Sequence, residues 1–219
     1  MKYRQLPQSE VAGLVASHIL ARLEQGQRVL WLLSGGSGGK VCLEASQMLV
    51  GHDLSCLYVT MSDERYGPLG HPDENFAQLT ESGLSLPGAT LYRPLDGSSR
   101  EQATERFAEW LATTSANVDH RFAVLGIGED GHAAGIKPSS PAVTSTALAA
   151  SFDGEDFQRI TVTPKFMRTL DAAIVQAYGA PKHAVIEQLL TGEDDVESFP
   201  ASVIRDIPNV IVCSDKERT

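Results

Sequence analysis

Apolar residues along this chain fall into two patterns, one helical and one typical of strands. Near the amino end, apolar residues recur at helical spacing between Val11 and Leu23, with Ser9 placed to cap the helix and Gly26 placed to end it. Strands are predicted at residues 28–33, 54–61, 122–126, 159–163, 171–178 and 209–213, and the first of them is an uninterrupted apolar run from residue 29 onward. Runs that are apolar on both faces are typical of strands buried within a parallel sheet.

Helical segments separate these predicted strands. They are expected at residues 40–50, 76–83, 98–113 and 181–190. This alternation predicts an α/β fold in which a mainly parallel sheet is flanked by helices, giving three layers. We expect one domain over residues 1–219, because this length suits a single core and no internal repeat or low-complexity tract is visible.

The composition argues against some classes of partner. A formal net charge of −10 at pH 7 disfavours nucleic acid and anionic membrane surfaces, which require clustered Lys and Arg. It leaves room for a small anionic substrate, because a few basic side chains can converge in a cleft. No apolar stretch reaches transmembrane length. Cys42, Cys56 and Cys213 are widely spaced and odd in number, which predicts buried, inert thiols without disulfides or a zinc site, in a reducing cytoplasm.

A glycine-rich loop follows the first predicted strand. Residues 34–39 read Ser-Gly-Gly-Ser-Gly-Gly and precede a predicted helix, so backbone N–H groups and the helix amino end can form a phosphate cradle. The spacing matches neither the Walker pattern nor the dinucleotide fingerprint, and a flexible connection is the alternative. The candidate ligands are Ser34, Gly35, Gly36 and Ser37, with Lys40 near the end of the loop.

Charged residues follow two further predicted strands. Asp63, Glu64 and Arg65 come directly after the second strand, so Arg65 is placed to bind a phosphate oxygen while Asp63 or Glu64 orients it. Lys182 lies near the first turn of a predicted helix, where a cation is unfavourable unless an anion is shared. The alternatives are a surface salt-bridge cluster for the first group and an ordinary surface lysine for the second.

A histidine and two carboxylates follow the strand at residues 122–126. Residues 126–132 read Gly-Ile-Gly-Glu-Asp-Gly-His, which places these side chains at the carboxyl edge of the predicted sheet, where ligands bind. His132 can act as a general base near neutral pH, with Asp130 fixing its tautomer or orientation. The alternative is a turn in which the histidine merely caps a helix.

Together, these segments resemble the 6-phosphogluconolactonase family, within the larger group that includes glucosamine-6-phosphate deaminase. The resemblance extends over nearly the whole chain, and the joint occurrence of the motifs is far more specific than any one of them. The matching segments are residues 33–37, 62–66, 71–76, 126–132, 159–163, 179–182 and 200–202.

The resemblance implies hydrolysis of 6-phosphoglucono-1,5-lactone to 6-phosphogluconate, a step of the oxidative pentose phosphate pathway, without metal or organic cofactor. Carried over onto this chain, it implies that His132 activates water beside Asp130. It also implies a substrate site formed by Arg65, Lys182, Gly35, Gly36 and Ser37. The expected partner is a small anionic sugar phosphate, bound by a monomer or a small homo-oligomer.

Two segments depart from the family pattern, the loop after Ser37, which reads Gly-Gly-Lys, and the segment after His132. The family usually continues after its Asp-Gly-His with Thr-Ala-Ser-Leu-Phe-Pro, whereas residues 133–138 here read Ala-Ala-Gly-Ile-Lys-Pro. The deaminases carry a glutamate in this segment, and Lys137 occupies the corresponding place, which favours the lactonase. Two alternatives stay open: a glucosamine-6-phosphate deaminase or isomerase, and a sugar-phosphate-binding homologue that has lost turnover.

Overall fold

Strands and helices alternate along the protein, whose computed structural model describes residues 1–217. The strands are β1 (Lys2–Gln5), β2 (Val29–Leu33), β3 (Leu57–Met61), β4 (Asp63–Arg65), β5 (Thr90–Leu91), β6 (His120–Gly126), β7 (Ala149–Asp153), β8 (Gln158–Val162), β9 (Ala172–Gln176) and β10 (Asn209–Ser214). The helices are α1 (Val11–Leu23), α2 (Gly36–Met48), α3 (Asn75–Glu81), α4 (Arg100–Asn117), α5 (Pro164–Met167) and α6 (His183–Thr191). Short 3-10 turns occur at Gln8–Glu10, Ala180–Lys182 and Pro200–Asp206.

The central sheet has seven strands in the order β1-β10-β9-β6-β2-β3-β5. Every neighbouring pair in it is parallel, so the carboxyl ends of its strands lie along one edge. The expected single domain over residues 1–219 includes residues 218 and 219, which lie outside the described residues.

Helices cover both faces of this sheet. Trp31 of β2 packs on one face with Ile19 of α1, whereas Leu30 and Leu32 of the same strand pack on the other face with Phe107 of α4. All of these side chains are fully buried. A strand buried on both sides needs no polar alternation, which is why β2 reads as one apolar run. The α/β fold with a mainly parallel sheet between helices is confirmed.

A second, smaller sheet contains the charged residues 63–65, which form β4. Strands β4, β8 and β7 form a three-stranded antiparallel sheet in this order. The apolar run at residues 159–163 therefore forms a strand, as predicted, but pairs outside the main sheet. A short apolar run does not specify its partner strand, so this arrangement depends on contacts distant in sequence.

Two local predictions near helix ends differ from the structure, and one edge strand was not predicted. Ser9 lies in a 3-10 turn before α1 and is not its cap, because Glu10 occupies that position without a side-chain hydrogen bond. Helix α2 begins at Gly36 and not at Lys40, so most of the glycine-rich loop is the first turn of the helix. Strand β1 went unpredicted because this short edge strand is largely exposed and lacks an apolar pattern.

The cysteines differ in burial. Cys42 and Cys213 are buried, as predicted, whereas Cys56 is only partly buried. Burial raises the pKa of the Cys42 thiol to about 12 and that of the Cys213 thiol to about 11, so both are thiols at neutral pH. Within residues 1–217, no helix combines the length and the apolar character that crossing a membrane requires.

Candidate active site

A polar cleft of about 250 Å³ opens at the carboxyl edge of the main sheet, after β2 and β6. Open α/β sheets bind ligands at this edge. The cleft gathers nearly all of the site residues expected from the sequence, namely Ser34, Gly35, Gly36, Ser37, Asp63, Arg65, His132 and Lys182. Asp130 is outside the cleft lining but contacts His132.

The amino end of helix α2 borders this cleft. Gly35 is its N-cap and makes no side-chain cap, while the N–H groups of Gly38 and Gly39 donate to the Gly35 carbonyl at 3.1 and 3.2 Å. Unpaired N–H groups and the positive end of the helix dipole favour an anion here. A Cβ atom at position 35 would overlap the side-chain amide of Asn75, so glycine allows this close approach.

Two arginines lie opposite each other in the small sheet. Arg65 of β4 and Arg159 of β8 are register partners, and both line the cleft. Their guanidinium carbons lie 4.5 and 5.7 Å from the centre of the Phe157 ring. Like charges placed opposite each other on neighbouring strands repel. The Nε atom of each arginine is buried without a hydrogen-bond partner among the described residues. Because both side chains line the cleft, their two positive charges favour an anion there.

The acidic neighbours of these arginines differ from those expected. Asp63 lies 3.5 Å from Nη1 of Arg159, and Asp156 lies 2.7 Å from its Nη2. The guanidinium of Arg65 instead contacts the Phe157 ring and the carbonyl of Asp73. The prediction is therefore wrong for Asp63, whose carboxylate turns toward Arg159 on the paired strand. Glu64 does not contact the guanidinium either, but it accepts the backbone N–H of Arg65.

Glu64 points away from the cleft and connects β4 to α3. Its carboxylate accepts the N–H groups of Asn75 at 2.6 Å, Phe76 at 2.9 Å and Arg65 at 2.8 Å. Burial raises the pKa of Glu64 to about 8, although these three donors oppose the rise. Glu64 thus fixes the backbone of Arg65 and places Asn75 beside the cleft.

His132, Asp130 and Lys137 form a chain of contacts at one side of the cleft. The Nδ1 atom of His132 lies 2.6 Å from Oδ1 of Asp130, and the Lys137 ammonium lies 3.1 Å from Oδ2. Burial acts to raise the pKa of Asp130, but the charge and hydrogen bonds of His132 and the bond from Lys137 lower it to about 2. The carboxylate is therefore ionised, which favours the tautomer of His132 with its proton on Nδ1.

Backbone strain shapes the segment that follows His132. Ala134 and Gly135 adopt φ angles of 50° and 74°, in the left-handed region. A Cβ atom on Gly135 would lie only 2.5 Å from Oδ2 of Asp63, so glycine is required on steric as well as conformational grounds. A Cβ atom on Gly128 would likewise overlap the His132 ring. The glycines allow the histidine loop to pack closely around the cleft.

The two lysines near the phosphate motifs have different surroundings. Lys182 lines the cleft at the end of a 3-10 turn before α6, and its ammonium makes no hydrogen bond or ion pair within residues 1–217. Lys40 lies 3.8 Å from Glu44 on the same helix, and 74% of its side chain is exposed. Of the two, only Lys182 belongs to the cleft.

Sequence reasoning missed several cleft residues. Asn75 and Arg159 lie within segments that carry the family resemblance, yet neither had an assigned role, and the orientation of Lys137 was open. Two sequence features could have marked these residues. Arg159 stands at the start of an apolar run, and Asn75 stands at the start of a helix. Asp156 lay in an acidic turn that reads as solvated surface, and no signal marked it.

Comparison with known families agrees with the fold. The profile of the family described as glucosamine-6-phosphate isomerases/6-phosphogluconolactonase matches residues 4–212. The chain belongs to this family, and the resemblance seen in its motifs is confirmed.

The similar proteins are mostly lactonases by name. The 6-phosphogluconolactonase of Pseudomonas aeruginosa is 30% identical over 201 residues, which are 85% of this chain and 80% of that protein. The crystal structure of a 6-phosphogluconolactonase from Shewanella baltica has a TM-score of 0.79 and 26% identity, covering 97% of this chain and 96% of the other. A glucosamine-6-phosphate deaminase of Lactobacillus johnsonii is 26% identical, with 93% of this chain and 90% of that protein aligned.

Proposed function

We propose that this protein hydrolyses 6-phosphoglucono-1,5-lactone to 6-phosphogluconate, with His132 activating the attacking water. The observation that carries the proposal is the arrangement of His132 in the cleft. Its Nδ1 atom is held by an ionised carboxylate, while its Nε2 atom has no partner among residues 1–217. The same cleft holds cations suited to a phosphate, so one ligand can meet both ends of the site.

At the phosphate end, binding rests on groups without competing carboxylates. Arg65 and Lys182 supply charge-assisted donors, and the amino end of α2 supplies backbone N–H groups at Gly36 and Ser37. Arg159 is paired with Asp63 and Asp156, and its guanidinium adds positive charge at the cleft wall. Fixing the remote phosphate orients the lactone ring for reaction, which is how binding energy lowers the barrier.

At the reacting end, His132 removes a proton from water as the oxygen attacks the lactone carbonyl carbon. The bond between the carbonyl carbon and the ring oxygen then breaks. The proton passes from His132 to this departing ring oxygen, which becomes an alcohol hydroxyl of the product. Asp130 stays ionised and stabilises the imidazolium that forms between these steps. Lys137 neutralises the outer oxygen of Asp130 and keeps that carboxylate fixed.

Both alternatives have a direct test. Residue 137 is a lysine paired with Asp130, so it cannot act as the proton-transferring glutamate of a deaminase. Release of ammonia from glucosamine 6-phosphate would overturn the choice of the lactonase over the deaminase. A homologue without turnover is disfavoured by the intact contact between Asp130 and His132. Tight 6-phosphogluconate binding without hydrolysis would select it.

The deciding assay is proton release after addition of freshly prepared lactone, corrected for spontaneous hydrolysis. We expect acceleration by the purified protein, abolished in His132→Ala while product binding is retained. His52→Ala is the matched control, because that histidine lies outside the cleft on an exposed turn. An absence of acceleration refutes the enzymatic proposal, and an undiminished rate in His132→Ala removes this residue from the mechanism.

A further inference from the structure

Unpaired cations are unevenly distributed over this acidic protein. Most lysines and arginines pair with a carboxylate, as Arg106 does with Asp96 at 2.7 Å. Within residues 1–217, the cations without an ion pair are Lys2, Arg4, Arg22, Arg65, Lys165 and Lys182. Lys165 donates to a backbone carbonyl. Arg65 and Lys182 belong to the candidate active site described above, which we call the active cleft. The remaining three line one second cleft.

This second cleft, which we call the amino-edge cleft, lies at the amino ends of β6, β9 and β10. Its volume is about 390 Å³. Lys2 and Arg4 of β1 border it on one side, and His18 and Arg22 of α1 border it on another. The active cleft lies at the opposite edge of the same sheet, so the two sites share no lining residue.

The lining combines positive charge with an apolar floor. Among residues 1–217, no aspartate or glutamate lines this cleft, although the chain carries 28 acidic side chains. Ile211, which is partly exposed, contributes apolar surface, and the buried residues Phe122 and Ile174 also border the cleft. A pocket of 300–1,000 Å³ with an apolar lining and a few convergent polar groups is typical of small-molecule sites. The volume exceeds that of a single phosphate, which indicates a larger anionic molecule.

His18 lines the amino-edge cleft and contacts a second histidine, His120, which is outside the lining. The Nε2 atoms of His18 and His120 lie 2.8 Å apart, so one ring donates and the other accepts. The His18 ring stacks on Phe122 with 4.4 Å between ring centres. Burial, and then the charges of His120 and Arg22, lower the pKa of His18 to about 4. Both rings are therefore uncharged at neutral pH. Their NMR resonances should shift when the charge beside Arg22 changes.

We propose that the amino-edge cleft binds a small molecule bearing a phosphate or carboxylate group, through Lys2, Arg4 and Arg22. This site is distinct from the active cleft and does not depend on the reaction proposed above. The apolar floor would hold the uncharged part of the ligand, while the three cations hold its anionic group.

The test follows the ring resonances of His18 and His120 by NMR during titration with inorganic phosphate and, separately, with citrate. His18→Gln assigns the signals. Arg4→Gln/Arg22→Gln removes two cations of the site, and Lys40→Gln/Lys165→Gln is the matched control, with the same change in net charge on other surfaces. Two phosphate ligands of the active cleft are removed in a third variant, Arg65→Gln/Lys182→Gln.

We expect saturable shifts of both resonances in the wild-type protein, the control and the active-cleft variant. In Arg4→Gln/Arg22→Gln the apparent Kd should weaken roughly tenfold or more, as expected for the loss of two charge-assisted contacts. A response to phosphate alone assigns a phosphorylated ligand, and a response to citrate alone assigns a carboxylate. Absence of saturable shifts with either anion, or equal shifts in Arg4→Gln/Arg22→Gln and its control, overturns the proposal.

Discussion

Replacing Asp130 by asparagine isolates what its carboxylate contributes to His132. The carboxylate accepts the ring N–H of His132 at 2.6 Å, its backbone N–H at 3.2 Å and the Lys137 ammonium at 3.1 Å. An amide of the same shape has only one acceptor oxygen. It either presents its NH₂ group to Lys137, where two donors clash, or presents it to Nδ1 and moves the ring proton to Nε2. The second arrangement removes the base.

The expected loss follows from the geometry. A hydrogen bond to a charged group contributes roughly 1.5–3 kcal/mol, and solvent screens part of it here because 44% of the Asp130 side chain is exposed. We therefore take about 2 kcal/mol, which corresponds to roughly a 30-fold fall in kcat. Because the pKa of Asp130 is lowered to about 2, its charge is lost only as the pH falls through that value. The rate loss in the variant should therefore extend across the neutral range.

The assay is proton release from freshly prepared lactone, with the spontaneous rate subtracted. Asp206→Asn is the matched control, since Asp206 forms an exposed surface pair with Arg168 at 2.9 Å. We expect its kcat to equal that of the wild-type protein. An unchanged kcat in Asp130→Asn, or an equal fall in both variants, would refute the reasoning.

Three further predictions concern binding, stability and pH. Arg65→Gln and Lys182→Gln should each raise KM with a smaller effect on kcat, because each loses a phosphate contact worth roughly 1.5–3 kcal/mol. Steady-state kinetics with the lactone test this prediction, and an unchanged KM would contradict it. Gly135→Ala should lower the free energy of unfolding by about 1–3 kcal/mol in urea titrations, since φ is 74° and the new Cβ meets Asp63, whereas an unchanged midpoint would contradict the strain. The pKa of His18 falls from 6.5 to about 4 on folding, so the unfolded chain takes up the proton first and stability should fall as pH drops between these values. That dependence should weaken in His18→Gln, and identical pH profiles would refute it.

The position of the active cleft could be predicted from sequence because parallel strands end at one edge. Ser34 and Gly126 each end an apolar run, and both line the same cleft in the structure. Polar residues directly after such runs are therefore brought together by the sheet, whatever the details of the loops. The pairing of Asp130 with His132 was also accessible, because the two residues are separated by a single glycine.

Contacts between distant segments could not be predicted. The pairing of Asp63 with Arg159 joins residues 96 positions apart, through a small sheet whose strands carry no distinguishing pattern. The orientation of Lys137 depends on the left-handed turn at Ala134 and Gly135, which apolar periodicity does not report. Sequence patterns thus locate the edge of the sheet, whereas side-chain partners depend on long-range register.

The register of β4 against β8 has a consequence for changes in chain length. Because successive strand residues point to opposite faces, a one-residue slip of β8 would turn Arg159 out of the cleft and bring Ile160 in. The turn between β7 and β8 is exposed and contains Gly154 and Asp156, so it is a place where an insertion leaves the fold intact. If an insertion of an odd number of residues shifted the register of β8, the Arg159 guanidinium would leave the cleft. An insertion confined to the turn would leave it in place. The tolerated length of this turn is therefore limited by the phase of β8 and not by its exposure.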